Sequence, residues 1–392
     1  MTDKEQLRWA VFNQSHSPDF QHVLAELANE FGDCLLFTGS PHPIGPSRLT
    51  IEVGPRYTRD SMISRVMSWL AFASFAARRA MSLPAETFTL FYTNPPILPI
   101  VAWLLHATRK LNYGIVVWDV YPDHLVAGDL VGPNHFVVRS WRMLNKRSYR
   151  AASVVITLGT RMAERIRAQS GCNGKTAILI APYWANVDLI RPLVKETNSF
   201  AIEHGQVGKL TVMYAGNIGA SHELHPLLDA ARQLHDNKSI SFLIVGDGLG
   251  KQALLDRIHG QGLANVSILP YQPWERLPEI LASAEIAFVG QRRGTESLSI
   301  PSKTYTSLAA GCALIAFTSM ESDLAELIVT YHLGEVASSS DPQAVTAAIQ
   351  KLHMDRDQLE TYRSNARQIA CELFSHDKAI ETLANALGPF IR

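Results

Sequence analysis

The chain has 392 residues, 47% hydrophobic and 18% charged, which predicts two well-packed domains and excludes a largely disordered polypeptide. Lys+Arg and Asp+Glu number 36 each, so no global charge draws the protein to nucleic acid. The cysteines Cys34, Cys172, Cys312 and Cys371 are far apart and form no C-x-x-C pair, against a zinc site or a disulfide framework.

The opening residues 1–6 lack a basic stretch followed by an apolar core, so no secretory signal is read and a cytoplasmic protein is expected. The longest apolar runs, Val66 to Ala77 and Pro95 to Ala107, fall short of the ~18–20 residues of a membrane span. Short apolar runs alternate with amphipathic stretches, the pattern of βαβ units and a parallel sheet. Arg8 to Phe12 reads as a strand, Phe20 to Phe31 as a helix and Cys34 to Thr38 as the next strand. Phe88 to Tyr92, Gly114 to Trp118 and Ser153 to Thr157 read as later strands. They end at the turns Thr93-Asn-Pro-Pro96, Asp119-Val-Tyr-Pro122 and Leu158-Gly-Thr160. Ligands of open α/β sheets bind beyond the carboxyl ends of the strands, so these turns are where function is sought.

Between Ala181 and Gly208, Pro182, Asn186, Pro192, Asn198 and Gly205 break the periodicity, and a domain linker is placed there. The alternation then restarts. Strands are expected at Lys209–Tyr214, Ile240–Val245, Val266–Leu269, Ile286–Val289 and Ala313–Phe317. Helices are expected at Glu223–His235, Lys251–Gln261, Leu277–Ser283, Lys303–Ala310, Pro342–Leu352 and Asp377–Leu387. The resulting domains are residues 1–190, residues 205–372, and a C-terminal helix in 373–392.

Three segments of the second half carry the chemistry. In Tyr214-Ala-Gly-Asn-Ile-Gly219 a strand enters a turn where Gly216 and Gly219 let backbone approach a ligand. Val245-Gly-Asp-Gly-Leu-Gly250, with Gly246, repeats the arrangement one βα unit later, without full dinucleotide spacing. Gly294-Thr-Glu-Ser-Leu-Ser-Ile-Pro-Ser-Lys303 leads through Pro301 and Ser302 into a helix. Lys303 falls in its first turn, where a cation opposes the helix dipole. It makes sense there if it helps to hold a phosphate.

These segments, in this order, resemble the C-terminal half of family 4 glycosyltransferases of the GT-B fold, nearest the bacterial branch building exopolysaccharide and O-antigen chains. FYTNPPILP, VVWDVYPD, PYWANVDLIRP and PSKTYTSLAAG extend the resemblance over roughly residues 88 to 390. It implies two Rossmann-like α/β domains facing across a cleft, acceptor in the first and nucleotide sugar in the second, with the C-terminal helix crossing back to the first. It implies a UDP- or GDP-sugar donor, no cofactor and transfer with retention of configuration. The diphosphate would face Gly216, Asn217 and Gly219, with Gly246 beside them. The base would border Tyr271, Gln272 and Pro273. Donor sugar and ribose would meet Glu296, Ser302, Lys303 and Thr306, and Asp119 would lie against the reacting sugar and acceptor.

The chain departs from that pattern. Asn217 and His222 stand where many members carry Arg and Lys, and Thr306 where many carry a ribose-binding Glu. Lys303, with Arg292 and Arg293, is left to take over. The D-x-D triplet Asp355-Arg-Asp357 falls in an expected helix near the C-terminus and reads as a solvated face, so no metal site is expected.

The first half also concentrates positive charge. Seven basic residues face two acids between Val53 and Tyr113, and no acid lies between Leu130 and Met162, where Arg142, Lys146 and Arg147 fall. Trp69, Phe72, Phe75 and Trp141 are interleaved. Basic and apolar together suit contact with an anionic inner membrane face, or alternatively ordinary helices covering the sheet. A polyprenyl-diphosphate-linked glycan acceptor fits the former. A sugar-nucleotide 2-epimerase and a catalytically silent partner protein of the same fold are the competing readings.

Overall fold

The alternation of buried strands and amphipathic helices is realised twice in the computed structural model, which describes residues 8–58, 61–171, 176–219, 223–341 and 343–391. One unit comprises Met1–Pro182 with Asp377–Arg392, the other Tyr183–His376.

The first unit runs β1 (Trp9–Phe12), α1 (Pro18–Phe31), β2 (Cys34–Thr38), β3 (Leu49–Val53), α2 (Met62–Met81), β4 (Phe88–Tyr92) and α3 (Leu98–Arg109). It continues with β5 (Tyr113–Val117), α4 (Asp123–Ala127), α5 (Phe136–Ala151), β6 (Val154–Thr157), α6 (Thr160–Ser170) and β7 (Ala177–Ile180). All seven strands are parallel, in the order β3-β2-β1-β4-β5-β6-β7. Stacked rings of Phe12, Phe37 and Phe91, with centroids 4.4 and 5.0 Å apart, fill the centre of one face. Helix α1 starts on Ser17, whose hydroxyl accepts from Phe20 N, with Pro18 in the first turn. Helix α2 starts on a Ser61–Ser64 capping box.

The second unit runs α7 (Ser199–Glu203), β8 (Leu210–Ala215), α8 (His225–Gln233), β9 (Ile240–Val245), α9 (Lys251–Gly260), β10 (Val266–Leu269) and α10 (Leu277–Leu281). Then come β11 (Ile286–Gly290), α11 (Lys303–Ala309), β12 (Ala313–Thr318), α12 (Asp323–Tyr331), β13 (Gly334–Ser338), α13 (Ala344–Met354) and α14 (Arg356–Leu373). Its six strands are parallel, ordered β10-β9-β8-β11-β12-β13 over a core including Val212, Ile244, Phe288 and Ile315. Helix α15 (His376–Ile391) is grouped from Asp377 onward with the first unit, where Phe390 stacks on Phe88 at 5.9 Å and Leu383, Leu387 and Ile391 are buried.

Several elements escape the sequence pattern. Strands β3 and β13 are half exposed, and α14 is a long helix of which only the first residues were read as helical. The stretch read as a linker contains the boundary between the units, at Pro182 and Tyr183, and beyond it carries one 3-10 turn and the short helix α7, grouped with the second unit. There the half-buried Lys195 ammonium meets both Glu285 oxygens at 2.8 and 2.9 Å, and Asn198 caps α7. Asp355 accepts from Gln358 N at 2.9 Å as the cap of α14, which gives the D-x-D triplet a structural role. Among the described residues no helix is long and apolar enough to cross a membrane. Arg59, Asp60, Cys172, His222 and the first seven residues lie outside the described residues.

Candidate active site

The second sheet is laid down from β8 outward to β10, then from β11 outward the other way, so its order reverses between β8 and β11. At such a switch point the loops leaving the two central strands diverge and open a crevice at the carboxyl edge. The loops reaching that edge are the Gly216 turn after β8, the Gly246 turn after β9, residues 270–273 after β10 and residues 291–302 after β11. All the donor-site residues read from the sequence lie on these loops or on α11.

The two glycine turns interlock backbone to backbone. A Cβ on Gly246 would lie 1.9 Å from Gly216 O, and one on Gly248 would lie 2.4 Å from Ile218 O. Gly216 N donates to Val245 O, Ile218 N to Asp247 O and Gly250 N to Ile218 O, at 2.8–3.0 Å. Gly246 is thus a buttress beneath the first turn. The exposed Asn217 sits at the crest, its carbonyl accepting the Tyr214 hydroxyl, and Gly219 follows, half-buried.

Lys303, the first residue of α11, reaches across this turn. Its Nζ lies 3.6 Å from the centre of the Tyr214 ring and 3.3 Å from where a Gly216 Cβ would stand. Gly216 has φ +135°, a backbone conformation strained for any residue with a side chain, and a Cβ there would press on the end of Lys303. The ammonium is buried and has no hydrogen-bond partner among the described residues, while the residue as a whole is partly exposed. Burial pushes its pKa well below the ordinary lysine value. The aromatic face compensates part of the lost hydration, but a desolvated ammonium without an acceptor favours an incoming anion. Tyr214, missed in the sequence as more than a strand residue, is therefore the platform of the site. Its own hydroxyl is pushed up by burial and by nearby Tyr271.

The remaining donor-site candidates are placed less tightly. Tyr271 is exposed, Gln272 Nε2 donates to Pro270 O at 3.1 Å, and Pro273 leads into a single helical turn. Glu296 turns back on its own loop, accepting from Gly294 N at 2.6 Å. Ser302 is exposed at the start of α11 without a side-chain capping bond. The Thr306 hydroxyl donates to Lys303 O at 3.2 Å. Arg293 is exposed on the loop that carries Glu296. A buried network that the sequence did not reveal holds this loop. Gln291 donates to Ser299 O at 3.1 Å and accepts from the Thr318 hydroxyl at 2.8 Å.

In the first unit the strand order reverses between β1 and β4. Asp119 lies at this carboxyl edge, after β5, its side chain 49% exposed and one oxygen 3.2 Å from His124 Nε2, close but not aligned as a hydrogen bond. The Thr93 hydroxyl accepts from Trp118 N and Asp119 N and fixes the turn. His16, also overlooked in the sequence, stands on the loop after β1. Its Nδ1 contacts Ser17 O at 3.0 Å, and burial lowers its pKa to about 4, so it is neutral at physiological pH. The structure thus gathers Lys303, Asn217 and Gly216 in the second unit, and holds Asp119 on the first.

Two parallel Rossmann-like sheets, each with a switch point at its carboxyl edge, make up the GT-B fold. Residues 195–369 match the family model described as Glycosyl transferases group 1. The chain is 23% identical over 386 residues to a Pseudomonas aeruginosa protein named as glycosyltransferase WbjE, covering 95% of this chain and 94% of the relative. It is 32% identical over 141 residues to the Escherichia coli (strain K12) colanic acid biosynthesis glycosyl transferase WcaI, covering 36% and 34% of the two chains. Among solved structures, Anabaena HepE in complex with UDP superposes with a TM-score of 0.72 at 16% identity, over 97% of this chain and 99% of that one.

Proposed function

We propose that this glycosyltransferase moves a sugar from a UDP- or GDP-sugar to a polyprenyl-diphosphate-linked glycan in surface polysaccharide synthesis, with retention of configuration. The observation that carries the reading is the buried Lys303 ammonium, over the Tyr214 ring and without a hydrogen-bond partner among the described residues, at the switch point of the second sheet. The donor diphosphate supplies the acceptor oxygens it lacks, and Lys303, rather than a bound metal or cofactor, balances the charge of the leaving group. Asn217 and the backbone of the Gly216 turn contact the phosphates, Tyr271 and Gln272 the base, and Ser302, Thr306 and Glu296 the ribose and sugar. The name of WcaI, a colanic acid biosynthesis glycosyl transferase, supports a role in polysaccharide assembly, and HepE, solved with UDP and with UDP-glucose, supports a uridine donor.

In the reaction the bond from the anomeric carbon to the diphosphate oxygen breaks, and a bond to the acceptor hydroxyl oxygen forms on the same face. The acceptor proton passes to the departing phosphate. Asp119 orients the acceptor and the reacting sugar. Incubation with a panel of UDP- and GDP-sugars and a polyprenyl-linked acceptor tests the proposal, with glycosylated lipid the expected product. Epimerised nucleotide sugar, or no turnover despite nucleotide binding, overturns it in favour of the isomerase or the silent partner.

A further inference from the structure

Helices α2, α3 and α5 lie side by side: α3 packs against both of the others. Their sequences hold nine Lys and Arg and not one Asp or Glu. The aromatic residues singled out in the sequence face inward: Trp69, Phe72 and Phe75 are buried, and Trp141 Nε1 is buried too. Four of the cations are also committed within the fold: Arg79 is paired with Glu52, and Arg109 donates to Met81 O. Arg142 is bound to the buried Asp123, whose other oxygen accepts from Gln169 at 2.6 Å, and Arg147 lies over the Trp103 ring at 5.6 Å.

A different set faces outward. On the first half of α2, Ile63 is 77%, Met67 60% and Leu70 49% exposed, with Met62 and Val66 beside them. Spacings of three and four residues put them in one stripe on the side of the helix away from the core. At the start of α5, Phe136 is 73% exposed and Val137 stands next to it. Both helices begin at the carboxyl edge of the sheet, after β3 and after the β5 turn. The inner face of α2 touches that turn, with the Trp69 ring 5.8 Å from the ring of Tyr121, two residues beyond Asp119. The uncommitted cations Arg139, Lys146 and Arg150 follow along α5, and Arg78 stands near the end of α2, all exposed.

We propose that this edge of the first unit seats on an anionic lipid surface, the α2 stripe and the start of α5 entering the acyl boundary and the exposed cations meeting the headgroup phosphates. Charge complementarity selects the occupant: helices with apolar prongs and flanking cations, and no acid in their own sequences, match the apolar interior and negative headgroups of such a bilayer. The arrangement deepens the transferase reading, because it delivers a membrane-held acceptor to the turn carrying Asp119.

The test is sedimentation of the full-length protein with vesicles of phosphatidylcholine, alone or with phosphatidylglycerol, scored together with transfer to a water-soluble acceptor analogue. Binding is expected to need the anionic lipid and to fall with added salt. Ile63→Ser combined with Met67→Ser should reduce vesicle partitioning on the order of tenfold or more while transfer to the soluble analogue stays unchanged. Arg139→Gln with Arg150→Gln should weaken binding at low salt only. Both pairs are on exposed positions and leave the core intact. If the wild type stays in the supernatant with anionic vesicles at low salt while transferring sugar to the soluble analogue, the membrane proposal falls and the transferase reading stands. A protein that binds vesicles but transfers nothing upholds the membrane surface and overturns the transferase reading. Loss of self-association, rather than of vesicle binding, in the Ile63/Met67 variant would assign the stripe to a second copy of the chain and overturn the proposal.

Discussion

Gly246→Ala probes the site without touching any side chain that meets a ligand. The added methyl would lie 1.9 Å from Gly216 O and 2.9 Å from Gly216 C. A comfortable carbon–oxygen contact is well over 3 Å, so the two turns must part by about 1–2 Å. Both groups are backbone, and no rotamer change relieves the clash. Overpacking of this kind costs about 3 kcal/mol, which for a unit of this size lowers Tm by about 6–12 °C. The displaced backbone carries Asn217 and the Gly216 N–H, so the donor KM should rise about tenfold or more even at temperatures where the variant is fully folded. Thermal unfolding and steady-state transfer kinetics read the two effects separately. An alanine variant with wild-type Tm and donor KM would refute the interlocked-turn account.

Other outcomes follow from the same structure. Lys303→Met removes a buried ammonium that has no hydrogen-bond partner among the described residues, so the ligand-free protein should be as stable as the wild type or more so, while transfer falls by the equivalent of about 2–4 kcal/mol. The folded pKa of Lys303 lies below its unfolded value, so between the two the unfolded chain binds more protons and stability rises with pH. Urea titrations should therefore show the stability gap between Lys303→Met and wild type narrowing as pH rises toward the ordinary lysine value of ~10.4. Leu387→Ala on α15, at a 1% exposed position, should cost about 2–4 kcal/mol, and deletion from Asp377 should give insoluble protein; a soluble, active truncation would show the helix to be dispensable. Asp119→Asn should depress kcat more than the donor KM, and equal effects on both would move Asp119 away from the reacting groups.

Much of this was legible in the sequence, for identifiable reasons. Fully buried parallel strands such as Ile240–Val245, apolar but for Ser241, read as nearly continuous apolar runs, and the glycine turns after them follow from strand-to-helix geometry. Half-exposed strands such as Gly334–Ser338 carry a diluted signal and were lost. Lys303 was recognisable because a lysine at a helix start is locally unfavourable. Its platform was not, since Tyr214 is an ordinary strand residue until the fold brings the two together. Gln291 acts through Ser299 and Thr318, distant in sequence, and His16 and His124 gain their settings from burial and from the turn of Asp119, which no local pattern marks. The same holds for the basic surface: the sequence counted its charges correctly but could not tell Trp69, facing the core, from Leu70, facing out.

The central claim is that the second unit captures the donor diphosphate through Lys303. Calorimetric titration of UDP and GDP into wild type and Lys303→Met tests it most directly, in buffers of different ionisation enthalpy. The account predicts that one nucleotide binds the wild type and that, above the lowered pKa of the free amine, binding takes up a proton as the diphosphate restores the ammonium. It further predicts at least a tenfold weaker, proton-neutral binding in the variant. Equal affinity and equal proton uptake in the two proteins would contradict it.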